Sequence, residues 1–342
     1  MKNKIGLRKG ANELIIELAD KVINGGEITR QEALELAKLP DSETPLLLAM
    51  ADKIRQHFVG DKVDLCSIVS GRSGHCPENC AFCAQSAYHK TDSPVHSLLP
   101  EEEILETARK AKEAGACRFS IVTSGRSATQ EGDFDRIVED LHKIKQQYGL
   151  NVCASLGILS PEAAKKLKEA GVSRYHANVE TSRSYFPNVC TTHTYEDKLS
   201  TIAAAKAAGM GICSGGIIGM GETLEQRVEM AFEIKDIGAE SVPLNILNPI
   251  AGTRFADKKA VPPMELLKTF ALFRFILPKA ALRTAGGREK NLRDLQSMAL
   301  TSGLNGMLIG GYLTTGGRSE ANDLQMLEDL GRTVMRVEET AK

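Results

Sequence analysis

After residue 60, the sequence alternates between short apolar runs and segments with the periodicity of a helix. This alternation is typical of βα units, in which each strand is followed by a helix and the strands form a parallel sheet. Because eight units follow one another, we predict an α/β fold, a (β/α)8 barrel of the TIM type; an open doubly wound sheet is the alternative. The predicted strands cover residues 63–69, 118–123, 151–156, 173–180, 211–217, 241–246, 281–284 and 306–309. The predicted helices lie near residues 101–114, 133–147, 161–170, 196–208, 223–237, 264–277, 289–302 and 322–337.

The first 60 residues carry helical patterns only. Such patterns cover 12–22 and 44–58, and Thr29-Arg30-Gln31-Glu32 between them is a capping box, which predicts the start of a short helix. We therefore expect an N-terminal helical extension at 1–60, packed outside a single barrel at 61–342.

The composition excludes several classes of protein. A net charge of -1 provides no field that would attract nucleic acid or an anionic membrane. No apolar run is long enough for a transmembrane helix, and the N-terminus lacks the apolar core of a signal peptide. We therefore expect a cytoplasmic protein without nucleic-acid or membrane partners. In such a reducing compartment, the eight cysteines indicate metal or redox chemistry rather than disulfides.

Three of these cysteines stand close together, as Cys76, Cys80 and Cys83 in the pattern C-x3-C-x2-C. Three thiolates can hold three irons of a four-iron cluster and leave the fourth iron open to a small molecule. Half of a zinc site is one alternative, although neither His75 nor His89 completes a usual zinc motif. A structural ferredoxin-like cluster is another, but most such patterns need a fourth cysteine nearby. We expect a cluster with one open iron, in the loop after the first strand, over the mouth of the barrel.

This three-cysteine motif resembles that of the radical S-adenosyl-L-methionine (SAM) enzymes. The resemblance implies a 4Fe-4S cluster whose open iron binds SAM, and a 5'-deoxyadenosyl radical that abstracts hydrogen from an unactivated C–H bond. It also implies that Phe82 lies near the adenine and that the glycine-rich segment with Gly216, Ile217 and Gly219 contacts it. The segment does not fit the dinucleotide pattern G-x-G-x-x-G, because Leu224 stands at the third glycine position.

Several predicted strands carry polar residues on a single face, although buried parallel strands are usually apolar throughout. Side chains along a strand alternate between its two faces, so residues two apart share a face. Polar groups are costly in a dry core, but at the carboxyl end of a barrel they line an active site. The alternative is that each is a core group with its own hydrogen-bond partner. The inward residues predicted in this way are His176, Asn178, Glu180, Cys153, Ser155, Cys213, Asn245 and Arg283.

Five further segments resemble the biotin synthase family, and the resemblance runs over roughly residues 45–335. The family closes the thiophane ring of biotin by inserting sulfur between two unactivated carbons of dethiobiotin. It consumes two SAM radicals per product and takes the sulfur from a second, sacrificial iron–sulfur cluster deep in the barrel. The segments are Asn178-Val179-Glu180-Thr181-Ser182, Cys213-Ser214-Gly215-Gly216, Ser241-Val242-Pro243-Leu244-Asn245, Arg283-Thr284-Ala285-Gly286-Gly287-Arg288-Glu289 and Tyr312-Leu313-Thr314-Thr315.

The resemblance implies a role for each inward residue. Glu180 is expected to bind the SAM ribose, while Asn178 and Asn245 are expected to hydrogen-bond the ureido ring of dethiobiotin. An amide both donates and accepts, as a cyclic urea requires. Thr314 and Thr315 are expected near the substrate carboxylate. A flavodoxin or ferredoxin is expected as electron donor, and a homodimer as the assembly.

The second cluster departs from the family pattern of three cysteines and one arginine. Cys153, Cys213 and Arg283 match three of those positions, but the fourth is Ser120. A serine oxygen is a poor replacement for a thiolate on iron, so a 2Fe-2S cluster is in doubt.

Other thiols are available to compensate for Ser120. We hypothesise an auxiliary cluster of the four-iron type held by Cys66, Cys153, Cys190 and Cys213, with Arg283 beside it. The alternative is that Cys66 and Cys190 are inert buried thiols, since cysteine is among the most buried residue types. Cys117 has the opposite parity from Ser120 and is expected to face outward.

Two other functions remain open at this point. The first is a different radical SAM enzyme with the same barrel, of the hydrogenase-maturation or methylornithine-synthase type. The second is a non-catalytic iron–sulfur or zinc protein that stores or senses metal, which would leave the inward asparagines and glutamate unexplained.

Overall fold

The structure is a computed structural model that describes residues 9–313 and 316–341. Thr314 and Thr315, the predicted carboxylate contacts, lie outside the described residues. Within these ranges, no helix combines the length and the apolar character needed to cross a membrane.

Parallel strands close into a barrel, as the alternation of apolar runs predicted. The strands are β1 (Lys62–Arg72), β2 (Arg118–Thr123), β3 (Asn151–Ser155), β4 (Arg174–His176), β5 (Gly211–Cys213), β6 (Gly216–Ile218), β7 (Ser241–Ile246), β8 (Ala281–Thr284), β9 (Gly306–Leu308) and β10 (Thr333–Val334). The order around the barrel is β1-β2-β3-β4-β5-β7-β8-β9, and β9 pairs back with β1 to close the ring. One strand position is interrupted, because β5 and β6 both pair with β7.

Helices surround the barrel and carry the chain from each strand to the next. They are α1 (Lys9–Ile23), α2 (Arg30–Ala37), α3 (Thr44–Val59), α4 (Glu101–Glu113), α5 (Phe134–Tyr148), α6 (Pro161–Glu169), α7 (Phe186–Val189), α8 (Tyr195–Ala207), α9 (Leu224–Ile237), α10 (Pro263–Ile276), α11 (Arg288–Leu292), α12 (Gln296–Leu300) and α13 (Glu320–Asp329). The outward side chains of the strands pack beneath these helices and form the main core, for example Phe119, Val152, Tyr175, Ile212, Val242 and Leu282.

The N-terminal helical extension is confirmed, with α3 packed against α10 outside the barrel. The capping box at Thr29 is present: its hydroxyl accepts from the Glu32 backbone N–H, and the Glu32 carboxylate accepts from that of Thr29. These two bonds satisfy two of the amides that a helix start leaves unpaired. Strand β1 begins at Lys62, and the division into 1–60 and 61–342 stays a prediction.

The structure differs from the predicted elements in four places. The strand predicted over 211–217 is divided into β5 and β6, and the helix predicted over 322–337 ends at Asp329 and is followed by β10. The other two differences have a local cause. The fourth strand, predicted over 173–180, ends at His176, because the Asn178 side chain takes the Gly215 N–H and Glu180 has a positive φ of 68°. The helix predicted over 289–302 is divided at Arg293, whose φ of 52° cannot continue a right-handed helix.

Candidate active site

A cavity of about 300 Å³ opens among the loops that follow the carboxyl ends of the strands. That is within the range of small-molecule sites, and in TIM-type barrels this is the catalytic end. The cysteine loop reaches its mouth through Phe82 and Cys83. Predicted inward residues line its wall and its deeper part: Cys66, Ser155, His176, Asn178, Cys213, Asn245 and Arg283.

The cysteine loop after β1 folds back on itself. Gly74 and His75 take positive φ angles of 83° and 49°, and the backbones of Cys76 and Gln85 are then hydrogen-bonded at 3.0 Å. The cysteine thiols are free, and burial raises the pKa of Cys76 and raises that of Cys83 to about 11. Because the thiolates are costly here without a cation, the loop is suited to metal.

The spacing of the three loop thiols argues against a single zinc ion. Among the described residues, Cys76, Cys80 and Cys83 do not form a group whose ligand atoms all lie within 4.8 Å of one another. Ligands of one tetrahedral ion must lie closer than that, whereas a four-iron cluster separates its thiolates more widely. The loop therefore fits the cluster that its spacing predicted.

The glycine-rich strand β6 is shaped by close packing. A Cβ on Gly216 would lie 2.3 Å from the Met230 sulfur and 2.7 Å from the Glu180 carbonyl oxygen, so no larger residue fits. Gly219 has a φ of 98°, and its N–H donates to the Glu222 carboxylate at 2.8 Å. Ile217 and Phe82 belong to one apolar cluster beside this turn. The structure thus brings together the residues predicted to surround an adenine.

Glu180 lies beside this cluster in a strained backbone conformation. Its φ is 68°, and its backbone pairs with β6 through the Gly215 carbonyl and the Ile217 N–H. Burial raises the pKa of its carboxyl. A non-glycine residue held with positive φ is costly, and such residues concentrate at functional sites.

The two predicted ureido ligands line the same cavity and are held by neighbouring strands. The Asn178 carbonyl oxygen accepts from Gly215 N–H at 3.1 Å. Asn245 accepts from Gly286 N–H at 3.0 Å and donates to the Gly216 carbonyl at 3.3 Å. Each amide is therefore fixed in orientation before any ligand arrives.

Deep in the barrel, the His176 imidazole interacts with the thiols of Cys153 and Cys213. Burial works against its charged form, but the two sulfurs raise the pKa of His176 to about 9. Burial likewise opposes the Cys213 thiolate, but His176 and then Arg283 lower the pKa of Cys213 to about 6. Burial raises the pKa of nearby Cys66 to about 12 despite Arg283. The role of His176 as a partner of both thiols was not predicted.

A charged layer lies beneath these thiols, at the amino ends of the strands. The Asp64 carboxylate accepts from Arg118 and Arg283, each at 3.2 Å, and all three side chains are buried. Arg283 also donates to the Ser241 hydroxyl at 3.0 Å, which lies 3.2 Å from the Cys213 sulfur. We call this layer the barrel floor and define it as Asp64, Arg118, Arg174 and Arg283. Sequence reasoning predicted Arg283 as an inward residue but missed the other three.

Two cysteines lie elsewhere than expected. Cys190 does not join Cys66, Cys153 and Cys213; its sulfur lies 3.8 Å from that of Cys80, at the mouth of the barrel. The reason is that Cys190 follows the short helix α7, outside any strand, so the two-residue period does not apply to it. Cys117 does not face outward, because its sulfur lies 3.3 Å from the Asp64 carboxylate.

Two family models match the chain and divide it between them. The Radical SAM superfamily matches residues 72–234, and the Biotin and Thiamin Synthesis associated domain matches residues 243–333. The first covers the cysteine loop and β6, and the second covers most of β7 and all of β8 and β9. Together they contain most of the residues that line the cavity, although Cys66 and Ile68 lie before the first match.

Solved structures of low sequence identity share the fold. A methylornithine synthase superposes with a TM-score of 0.84 at 21% identity, over 94% of this chain and 98% of the other. An FeFe-hydrogenase maturase from Carboxydothermus hydrogenoformans gives 0.77 at 19% identity, over 94% and 79%.

Curated relatives match over nearly their full length. The biotin synthase of Carboxydothermus hydrogenoformans is 52% identical over 93% of this chain and 98% of its own. Those of Geotalea daltonii and Pelotomaculum thermopropionicum are 51% and 50% identical over 93% of this chain, and over 97% and 99% of their own. With this identity, and with both halves of the cavity matched, the chain belongs to the biotin synthase family of radical SAM enzymes.

Proposed function

We propose that this chain converts dethiobiotin to biotin by inserting sulfur at two unactivated carbons. The observation that carries the proposal is that one cavity joins the cysteine loop at its mouth to free thiols at its depth. A substrate between them would contact the source of the radical and the source of sulfur at the same time. Phe82 and Cys83 border one end of this cavity, and Cys66, Cys213 and Arg283 border the other.

Cys76, Cys80 and Cys83 are the residues that would hold the 4Fe-4S cluster. When SAM and this cluster are bound, they supply the 5'-deoxyadenosyl radical that removes hydrogen from the substrate. The chain itself contributes an apolar surface from Phe82 and Ile217 and the buried Glu180 carboxyl, which we assign to the adenine and the ribose. Enclosing this chemistry keeps out water and excludes side reactions.

Asn178 and Asn245 are the residues that we assign to the ureido ring of dethiobiotin. Because the carbonyl oxygen of Asn178 is already occupied by Gly215, its amide N–H group is left to donate to the urea oxygen. Fixed amides select which carbon of a bound substrate faces the radical, since they set its position and orientation. Ile68, Ala285 and Leu308 form an apolar cluster with the Cys66 thiol on another part of the wall.

The sulfur source that we propose is an auxiliary iron–sulfur cluster beside Cys66, Cys153, Cys213 and Arg283. Ser120 stands in the same layer, and its hydroxyl is fully buried without a partner among the described residues. The lowered pKa values of Cys153 and Cys213 favour thiolates, which are the form that binds iron. Cys190 is left out of the ligand set because it lies beside Cys80. Whether the cluster has two or four irons stays a prediction.

The flavodoxin or ferredoxin donor, the homodimer and the cytoplasmic location also stay predictions. The described cysteines are all free thiols, which supports a reducing compartment.

The test is anaerobic reconstitution with iron and sulfide, followed by SAM, dethiobiotin and a reductant. We expect 5'-deoxyadenosine and biotin together, measured by mass spectrometry. Deoxyadenosine without biotin would refute dethiobiotin as the substrate or the auxiliary cluster as the sulfur source. The sulfur source is tested separately, by iron and sulfide counts on Cys66→Ala and Cys117→Ser. Both variants remove a buried thiol, but only Cys66 borders the cavity.

A further inference from the structure

We propose that Cys80, Cys190 and His193 form a binding site for a divalent transition-metal ion, Fe²⁺ in the cell. The ion occupies this site before the iron–sulfur cluster of the chain is assembled. The site lies at the barrel mouth and combines one cysteine of the predicted cluster with two residues from the segment after α7. It does not depend on the auxiliary cluster or on dethiobiotin.

The distances fit a single ion. The sulfurs of Cys80 and Cys190 are 3.8 Å apart, and the Cys190 sulfur lies 3.2 Å from Nδ1 of His193. All three ligand atoms lie within 4.8 Å of one another. A tetrahedral zinc site has metal–sulfur bonds of about 2.3 Å and metal–nitrogen bonds of about 2.0 Å, which separates its ligands by roughly 3.5 to 3.8 Å. One ion can therefore contact all three atoms with only small side-chain movements.

The two halves of the site are already held together by other contacts. The Asn79 side chain accepts from Thr191 N–H at 2.9 Å, and the Asn79 N–H donates to the Thr192 hydroxyl at 3.0 Å. Because these bonds attach the Cys190 segment to the cysteine loop, metal binding does not have to order the loop. The site is preorganised, which reduces the entropy cost of binding.

A fourth donor lies next to His193. The Glu78 carboxylate accepts from Nδ1 of His193 at 2.6 Å and is buried. It is also paired with Arg126 at 2.8 Å. When the imidazole nitrogen binds a metal, it releases its proton, and the carboxylate is then free to bind the ion or to remain with Arg126. Two thiolates, an imidazole and a carboxylate form a mixed sulfur, nitrogen and oxygen donor set that Fe²⁺, Co²⁺ and Zn²⁺ accept.

Sharing Cys80 has a consequence for cluster assembly. An ion at this site and a complete 4Fe-4S cluster on Cys76, Cys80 and Cys83 exclude each other. Fe²⁺ held here is already bound to one of the three cluster thiolates, so it is placed to become an iron of the cluster. Zn²⁺ held here occupies Cys80 and opposes assembly.

The test uses Co²⁺ as an optical probe, because tetrahedral cobalt–thiolate sites absorb in the near ultraviolet and the visible. The starting protein is the full chain carrying Cys76→Ser and Cys83→Ser, which cannot assemble the predicted cluster. Because this protein keeps the deep thiols Cys66, Cys153 and Cys213, cobalt binding is compared before and after Cys190→Ser or His193→Gln is added. We expect one bound cobalt to be lost, or weakened by at least about 10-fold; even outer-shell partners of a metal change affinity by that factor. Cys117→Ser is the matched control, since it removes a buried thiol outside the site.

The proposal is overturned if Cys190→Ser and His193→Gln both leave the cobalt spectrum and affinity unchanged while circular dichroism shows a folded chain. Binding that is weakened equally by Cys117→Ser would also overturn it. A second measurement uses the chain with all cluster cysteines present. Under limiting Fe²⁺, Cys190→Ser should slow formation of the 4Fe-4S absorbance several-fold, and at excess Fe²⁺ the rates should converge. No step of the test needs SAM or dethiobiotin, so a negative result leaves the proposed function intact.

Discussion

Replacing Asp64 by Asn tests whether the barrel floor holds Arg283 in place. The Asp64 carboxylate is the acceptor for both Arg118 and Arg283, and all three side chains are 4–6% exposed. Charge-assisted hydrogen bonds contribute about 1.5 to 3 kcal/mol each. Two such bonds give about 3 to 6 kcal/mol, which agrees with the roughly 3 to 5 kcal/mol for breaking a buried ion pair. We therefore expect the cluster-free variant to lose about 3 to 5 kcal/mol of unfolding free energy at pH 7.

The same contact also makes the unfolding free energy depend on pH in a predictable direction. Burial alone would raise the pKa of Asp64, but Arg283 and Arg118 hold it well below its usual range. Its contribution to stability is therefore complete above the unfolded pKa of about 3.9 and is lost as the pH falls further. Asp64→Asn removes this dependence, so the stabilities of the two proteins should converge as the pH falls below about 4.

The assay is urea unfolding of the anaerobic, cluster-free proteins between pH 3 and pH 8, followed by iron and sulfide counts after reconstitution. We expect the variant to keep the cluster of the cysteine loop and to lose the auxiliary cluster. An unfolding free energy within 1 kcal/mol of the parent at pH 7, together with an intact auxiliary cluster, would refute the reasoning.

Three further predictions concern single side chains. Asp140 is fully buried without a hydrogen-bond partner among the described residues, and burial raises its pKa to about 6. Since the folded pKa lies above the unfolded one, the stability of the protein falls as the pH rises from about 4 to 6. Asp140→Asn should therefore increase the unfolding free energy by about 3 kcal/mol at pH 7.5 and leave it unchanged at pH 3.5, as measured by urea unfolding. Glu180→Gly should raise the thermal midpoint, because it relieves about 1 kcal/mol of backbone strain, yet weaken SAM binding in equilibrium dialysis. Asn178→Ala should raise the KM for dethiobiotin about 10-fold, at roughly 1.4 kcal/mol for one lost hydrogen bond, and unchanged steady-state kinetics would count against its assigned role.

Local patterns were sufficient to predict the barrel. The apolar runs are short and clearly bounded, and the capping box at Thr29 forms as its side chains indicate. Cys153, Cys213 and Arg283 are predicted to face inward because regular strands obey a two-residue period, and the family resemblance implies that they act together. The cysteine loop was recognisable from spacing alone.

The barrel floor and the position of Cys190 depend on contacts between residues that are distant in the sequence, so local patterns did not predict them. Asp64, Arg118 and Arg174 stand at the starts of three strands, where charged residues usually mark the surface. A signal was nevertheless present, because each lies two residues before an inward position: Cys66, Ser120 and His176, respectively. Cys190 could not be placed, since it follows an irregular segment whose path depends on its hydrogen bonds to the cysteine loop.

Asn178 and Asn245 also limit how this active site can change. Their amides connect four neighbouring strand positions of the barrel at its mouth, through Gly215, Gly216 and Gly286. A substitution that altered recognition at either asparagine would at the same time remove a cross-link between strands. New substrate preference is therefore more accessible to evolution, and to protein engineers, through the apolar wall at Ile68, Ala285 and Leu308 than through the two asparagines that we assign to the ureido ring.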